Sequence, residues 1–240
     1  MTIIFDKSKK ISLDDESFRS ELLAIASKID DVIPLGRGDP DFHTPKHIVE
    51  AAKKALDDNK HHYTPPNGLP ELRVAISKNL REKYNLIYNE NEIVVTAGVQ
   101  ESIALTMLSL LETGDEVLIT SPRFTTYDLN VRMCNAKPIP IPTYEKNNFS
   151  LMPNIIEEKI NNKTKLIVLV SPNNPTGAVT PPENIKKIAE IAIKHDLIVI
   201  ADEIYADLIY ENHEHLSIAT LANMKERTLT LNGFSKTYAM

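Results

Sequence analysis

Short, continuously apolar runs that alternate with amphipathic stretches limit most strongly what this chain can fold into. Residues 166–170 (LIVLV) and 197–201 (LIVIA) contain no polar side chain, as is typical of strands that are covered on both faces. Between them, the segment that begins at Pro182 repeats its apolar residues with helical spacing. Strands alternating with helices in this way predict an α/β fold with a mainly parallel sheet.

The same pattern extends over most of the 240 residues, of which 42% are hydrophobic. This is enough for one sizeable core, or for one domain and part of another. Strands are predicted at residues 93–96, 116–120, 165–170, 197–201 and 228–231. Helices are predicted at residues 46–59 and from Pro70, Gln100 and Pro182 onward, with Thr44 as the N-cap of the first.

Polar or small residues follow each predicted strand. They are Gly98, Ser121-Pro122, the segment 171–175, Asp202-Glu203 and the segment 232–236. Because ligands bind beyond the carboxyl ends of parallel strands, we expect these residues to converge on one crevice.

The residue types in this crevice indicate a particular ligand. A buried lysine such as Lys236 is a nucleophile toward aldehydes, and Asp202 could pair with a protonated ring nitrogen. The strand-to-helix turn at Gly98 offers N–H groups and a partial positive charge to a phosphate. An aldehyde, a ring nitrogen and a phosphate together describe pyridoxal 5'-phosphate (PLP).

Several segments carry a family resemblance in addition. They are residues 36–42 (GRGDPDF), 63–73 (YTPPNGLPELR), 171–177 (SPNNPTG), 202–205 (DEIY) and Ser235-Lys236. Because these segments occur in this order, the chain resembles the class I/II (fold type I) PLP-dependent aminotransferases, the aspartate-aminotransferase-like family. The resemblance implies a three-layer α/β/α domain. It also implies transfer of an amino group from an amino acid to a 2-oxo acid.

The resemblance implies a role for each catalytic residue. Lys236 would hold PLP as a Schiff base and move a proton, and Asp202 would keep the pyridine nitrogen protonated. Tyr205 and Asn174 would hydrogen-bond the phenolic oxygen of the ring. Gly38, together with Asn174, would lie against the substrate.

Further positions of the resemblance concern cofactor binding and assembly. The N–H groups of Gly98, Val99 and Gln100 would cradle the phosphate, and Phe124 would stack on the ring. Tyr63 would reach across a homodimer interface to the partner's phosphate. Two structural alternatives stay open: Phe124 as a core residue and Tyr63 as a packing aromatic.

The chain departs from the family pattern in a few places. Phe124 replaces the more usual Tyr or Trp, Arg123 beside it is unusual, and Gly233 stands where many relatives have a serine. Relatives continue past Met240 into Thr-Gly-Trp-Arg. We therefore expect a fragment, with residues 1–45 forming an N-terminal arm and part of a small domain. Residues 46–240 would form a PLP-binding large domain that is truncated at its C-terminus.

Two other functions remain open alongside the aminotransferase. The same core serves PLP-dependent carbon–sulfur lyases, and a truncated chain could be a non-catalytic fragment with exposed apolar surface.

The composition argues against other classes of protein. A net charge of -6 without a basic run argues against binding to nucleic acid or a membrane. The single cysteine, Cys134, suits a reducing cytoplasm. The histidines are scattered, so no metal site is predicted.

Overall fold

Parallel strands form the centre of the molecule. The computed structural model describes residues 21–22, 24–33 and 38–240. Within this part, the strands are β1 (Glu116–Ser121), β2 (Lys137–Pro142), β3 (Thr164–Val170), β4 (Ile198–Asp202) and β5 (Thr228–Leu231). They form one parallel sheet in the order β2-β1-β3-β4-β5. The predicted parallel sheet is therefore confirmed.

Helices connect the strands and cover the sheet. They are α1 (Lys46–Asp57), α2 (Pro70–Tyr84), α3 (Val99–Leu110), α4 (Thr126–Met133), α5 (Pro153–Lys159), α6 (Pro182–Lys194) and α7 (Phe234–Thr237). Short 3₁₀ turns lie at Glu90–Glu92, Glu145–Asn147, Ile218–Thr220 and Lys225–Arg227. The helices predicted from Pro70 and Pro182 begin at those prolines, whose missing N–H has no partner to lose in a first turn.

The core consists of two apolar layers, one on each face of the sheet. Val117 and Ile119 of β1 pack with residues of α3 and α4. Leu118, which lies between them in sequence, packs on the other face with residues of α5 and α6. Successive side chains of a strand point to opposite faces. The sheet is thus covered on both sides, which confirms the three-layer α/β/α prediction.

The strand predicted at residues 93–96 is wrong. This segment lies outside the sheet in the structure, and Val94 is 63% exposed. Instead, the N–H of Val95 donates to the carbonyl of Asn67 at 3.1 Å. Gly68 permits this approach, because a Cβ there would lie only 2.6 Å from Val95 Cγ2. An extended conformation without a paired neighbour does not make a strand.

The region around α1 also differs from the prediction. Pro45 is the N-cap, and the hydroxyl of Thr44 donates to the carbonyl of Ala239 rather than capping the helix. None of the α1 residues is buried, although the helix has an apolar stripe. Most of the predicted N-terminal arm, including Gly36 and Arg37, lies outside the described residues. No helix within the described ranges has the length and apolar character needed to cross a membrane.

Candidate active site

A large open cleft of about 1480 Å³ includes the carboxyl ends of β3 and β4 and extends along strand β5 and helix α2. All but one of the site residues predicted from the sequence line it. They are Gly38, Gly98, Val99, Gln100, Phe124, Asn174, Asp202, Tyr205 and Lys236. Residues separated by almost 200 positions are thus brought to one place, as the parallel sheet requires.

Asp202 is the best-defined group in this cleft. It is the last residue of β4 and is 6% exposed. Its Oδ2 accepts a hydrogen bond from the hydroxyl of Tyr127 at 2.5 Å, and its Oδ1 accepts one from the N–H of Ile204 at 3.2 Å. Burial raises the pKa of Asp202, and the two hydrogen bonds oppose that rise. The carboxyl group is therefore held in a fixed orientation at the cleft.

Tyr127 was not predicted from the sequence. Its ring is buried in the core between α3, α4 and the sheet, and only its hydroxyl has a polar partner, Asp202. Burial, followed by the charge of Asp202, raises the pKa of Tyr127 well above its ordinary value, so the phenol keeps its proton. The sequence carries only a general signal for this contact: the hydroxyl of a buried tyrosine needs a hydrogen-bond partner.

Tyr205 and Asn174 lie together at the cleft. The side-chain nitrogen of Asn174 is 3.4 Å from the hydroxyl of Tyr205. Burial and the charge of Asp202 raise the pKa of Tyr205, while the hydrogen bond from Asn174 lowers it. The two side chains present a hydroxyl and an amide that could both bind one ligand oxygen.

Lys236 lies in the short helix α7 that follows β5. Its ammonium group donates to the carbonyl of Gly38 and lies 5.7 Å from the centre of the Tyr205 ring. A Cβ on Gly38 would be 3.8 Å from the Tyr205 hydroxyl. The predicted lysine, tyrosine and glycine are therefore mutual neighbours.

The N-terminus of α3 forms another wall of the cleft. Gly98 is its N-cap, with φ 81° and ψ 171°, a conformation that is essentially restricted to glycine. The hydroxyl of Thr96 donates to the carbonyl of Gly98 at 3.0 Å and lies 2.7 Å from that of Ser102. Since the first N–H groups of a helix have no partner within it, those of Val99 and Gln100 are available to an anion.

The loop after β1 carries Arg123 and Phe124, which have different surroundings. Phe124 packs partly against the core and also lines the cleft. Arg123 is engaged elsewhere: its guanidinium forms a two-pronged pair with the carboxylate of Asp128, with Nη2 at 2.6 Å from Oδ1. Arg123 therefore holds the loop in place and does not line the cleft.

Tyr63 is the predicted residue that the structure does not bring to the cleft. Its side chain is fully exposed, so its role across an interface stays a prediction. The histidines, cysteine and carboxylates of residues 21–22, 24–33 and 38–240 form no cluster that could hold a metal ion.

Comparisons with known proteins identify the family of this chain. The model of the family "Aminotransferase class I and II" matches residues 30–240. The aspartate aminotransferase of Pyrococcus abyssi is 44% identical over 97% of this chain and 60% of its own length. Aromatic-amino-acid aminotransferase 2 of Thermococcus litoralis is 40% identical over 97% of this chain and 60% of its own length.

Solved structures agree as well. The structure of the Thermus thermophilus aspartate aminotransferase with maleate has a TM-score of 0.91 at 35% identity, covering 99% of this chain and 62% of that one. The aspartate aminotransferase of Rhizobium meliloti has a TM-score of 0.91 at 32% identity, covering 98% and 60%. The chain thus spans about 60% of the length of the curated relatives that it matches. On these grounds the chain belongs to the class I and II aminotransferase family.

Proposed function

We propose that this protein is a PLP-dependent aminotransferase that moves an amino group from an amino acid to a 2-oxo acid. One observation carries the proposal: Lys236, Asp202, Tyr205, Asn174 and the N-terminus of α3 line a single cleft. Amine, carboxylate, phenol, amide and helix N-terminus are the groups that PLP binding and chemistry require.

The residues of the cleft fit the cofactor group by group. The helix N-terminus at Gly98 suits the phosphate. The nearby carboxylate of Glu101 accepts a hydrogen bond from the N–H of Ala97, which precedes the helix. Asp202 suits the pyridine nitrogen, because its carboxyl is already oriented by Tyr127. Lys236 suits the aldehyde, to which it would be covalently attached.

PLP, when bound, supplies an electrophilic carbon and a ring that accepts the electron pair left when a proton leaves the substrate Cα. The chain supplies the rest. The amine of Lys236 would take that proton from the substrate Cα and deliver it to the former aldehyde carbon of the cofactor, and Asp202 would keep the ring nitrogen protonated. Tyr205 and Asn174 would donate hydrogen bonds to the phenolic oxygen, and Phe124 would stack on the ring.

The first test is an absorbance titration of the protein with PLP, beside Lys236→Ala. We expect a yellow band with the wild type that the variant lacks. Borohydride reduction followed by peptide mass analysis should then locate the cofactor on Lys236. Lys194→Ala, at an exposed lysine of α6, is the control and should keep the band. A wild-type protein that is monodisperse and remains colourless would contradict the proposal.

The second test concerns the reaction. An aminotransferase converts an amino acid to its keto acid only when a 2-oxo acid acceptor is present, whereas a carbon–sulfur lyase needs no acceptor. We expect keto-acid formation to depend on the acceptor. Aspartate and an aromatic amino acid are the first donors to compare, because the relatives named above carry those substrates in their names.

We further propose a homodimer, a cytoplasmic location and the domain division at residues 45 and 46. The ring of Tyr63 is fully exposed, which leaves it available to a partner subunit, as the family resemblance implies. Tyr63→Ser should weaken dimerisation in sedimentation equilibrium and lower the affinity for PLP. The single cysteine supports a reducing compartment.

A further inference from the structure

Glu203 is a buried carboxylate that the proposed reaction does not use. Its side chain is 4% exposed, and its Oε2 lies 3.2 Å from Nε2 of His215, whose side chain is 9% exposed. Neither atom has a hydrogen-bond partner within the described chain, so the contact between them is close but does not have hydrogen-bond geometry. Because a buried charge is costly without a partner, the two groups depend on each other.

The position of this pair links it to the cleft. Glu203 directly follows Asp202, and the N–H of Glu203 continues the pairing with β5 by donating to the carbonyl of Leu231 at 2.8 Å. Side chains of consecutive residues in an extended segment point to opposite sides. Asp202 therefore meets Tyr127 on one side, while Glu203 meets His215 on the other.

A second contact holds the turn at residues 204–207, which follows Glu203. Asp207 accepts hydrogen bonds from Lys83 at 2.5 Å and from the hydroxyl of Tyr84 at 2.6 Å, both at the end of α2. The ring of Tyr84 meets that of His215 edge-on, with centroids 5.9 Å apart. The two acids that flank Tyr205 in the turn are thus both tied, directly or through His215, to Tyr84.

We propose that His215 is a positioning residue, which by pairing with Glu203 fixes the turn that presents Asp202 and Tyr205 to PLP. The inference rests on the proposed function. It assigns His215 no contact with cofactor or substrate. It acts through residue 203, whose carbonyl carbon forms the peptide bond to the Ile204 N–H that orients Asp202.

The test compares three variants with the wild type by PLP titration. His215→Leu keeps apolar volume but removes the partner of Glu203, and we expect about tenfold weaker PLP binding with a shifted absorption maximum. In Glu203→Gln/His215→Leu neither half of the pair remains, so PLP binding should be about as weak as in His215→Leu, with no large further loss. His213→Leu, at an exposed histidine two residues away, is the matched control and should change neither quantity.

The outcomes separate this inference from the proposed function. A wild type that does not bind PLP contradicts the function itself. If the wild type binds PLP and His215→Leu binds it equally with the same spectrum, the positioning role is wrong. It is also wrong if the double variant binds PLP as tightly as the wild type, because an unpaired charge on Glu203 would then explain the loss in His215→Leu. Should His215→Leu fail to fold, His215→Ala and Glu203→Gln/His215→Ala give the same comparison.

Discussion

Asp202 is a residue at which burial and the proposed chemistry oppose each other. Because burial raises its pKa, the folded chain binds this proton more tightly than the unfolded chain does. The resulting stabilisation is complete below the unfolded pKa of about 4 and is lost as the pH rises through the folded pKa. A neutral side chain at this position avoids that loss.

Asp202→Asn should therefore raise the melting temperature of the cofactor-free protein at about pH 8 and change it little near pH 4. The same variant should bind PLP more weakly, since an amide cannot keep the ring nitrogen protonated. Thermal unfolding at both pH values, together with a PLP titration, measures the two effects. A lower melting temperature at pH 8 would mean that the bonds from Tyr127 and Ile204 outweigh the burial of the charge.

Tyr127→Phe isolates the hydrogen bond to Asp202. The ring stays in the core, but the buried carboxyl loses one of its two donors. We expect a loss of about 1–3 kcal/mol in the free energy of unfolding and weaker PLP binding. Chemical denaturation and PLP titration are the measurements. Tyr144→Phe, at a half-exposed tyrosine, is the control and should alter neither quantity. Equal effects from both variants would mean that the loss in Tyr127→Phe does not come from its hydrogen bond to Asp202.

At the scale of elements, the N-terminus of α3 makes a separate prediction. Gly98→Ala meets no atom within 4 Å, but its φ of +81° is strained for any other residue. The variant should lose about 1–3 kcal/mol of stability, and the displaced first turn should weaken phosphate binding. Gly114→Ala is the control, because Gly114 also has a positive φ and open space but lies outside the cleft. It should be destabilised while binding inorganic phosphate and PLP normally.

The strands show how far the sequence could predict the fold. Apolar runs identify β3 and β4, because both strands are covered on both faces. Strand β2 was not predicted, since Pro138, Pro140 and Pro142 argue against a strand. It lies at the edge of the sheet and pairs only with β1. Prolines at every second position leave the missing N–H groups on one side, which can be the unpaired one.

The residues of the site were easier to predict than the residues that hold them in position. Lys236, Asp202, Tyr205 and Asn174 occur in short sequence motifs after strands, and parallel pairing brings strand ends together. Tyr127 and His215 were not predicted, because each depends on a contact across 75 or 12 positions. No local pattern encodes such a contact, which appears only when the sheet and helix α4 are in place.

On the scale of the whole molecule, the cleft is wide because apolar surfaces on opposite sides of it do not pack against each other. The apolar face of α2, with Leu72 and Ile76, lines the cleft instead of packing, while the buried residues of this helix are Arg73 and Ser77. Segment 93–96 and strand β5 both line the same space. Apolar side chains that face water in this way make association favourable.

Val94 and Leu105 give the means to test this, since they line the cleft and are 63% and 45% exposed. We expect Val94→Ser/Leu105→Gln to bind less of a hydrophobic dye and to self-associate less than the wild type. Its unfolding free energy should change by only about 0.5 kcal/mol, as is usual for surface substitutions. Dye fluorescence and light scattering over a concentration series measure the effect. Tyr210→Ser, at an exposed tyrosine away from the cleft, is the control. An equal reduction of dye binding and self-association in this variant would show that the cleft is not the surface through which the protein associates.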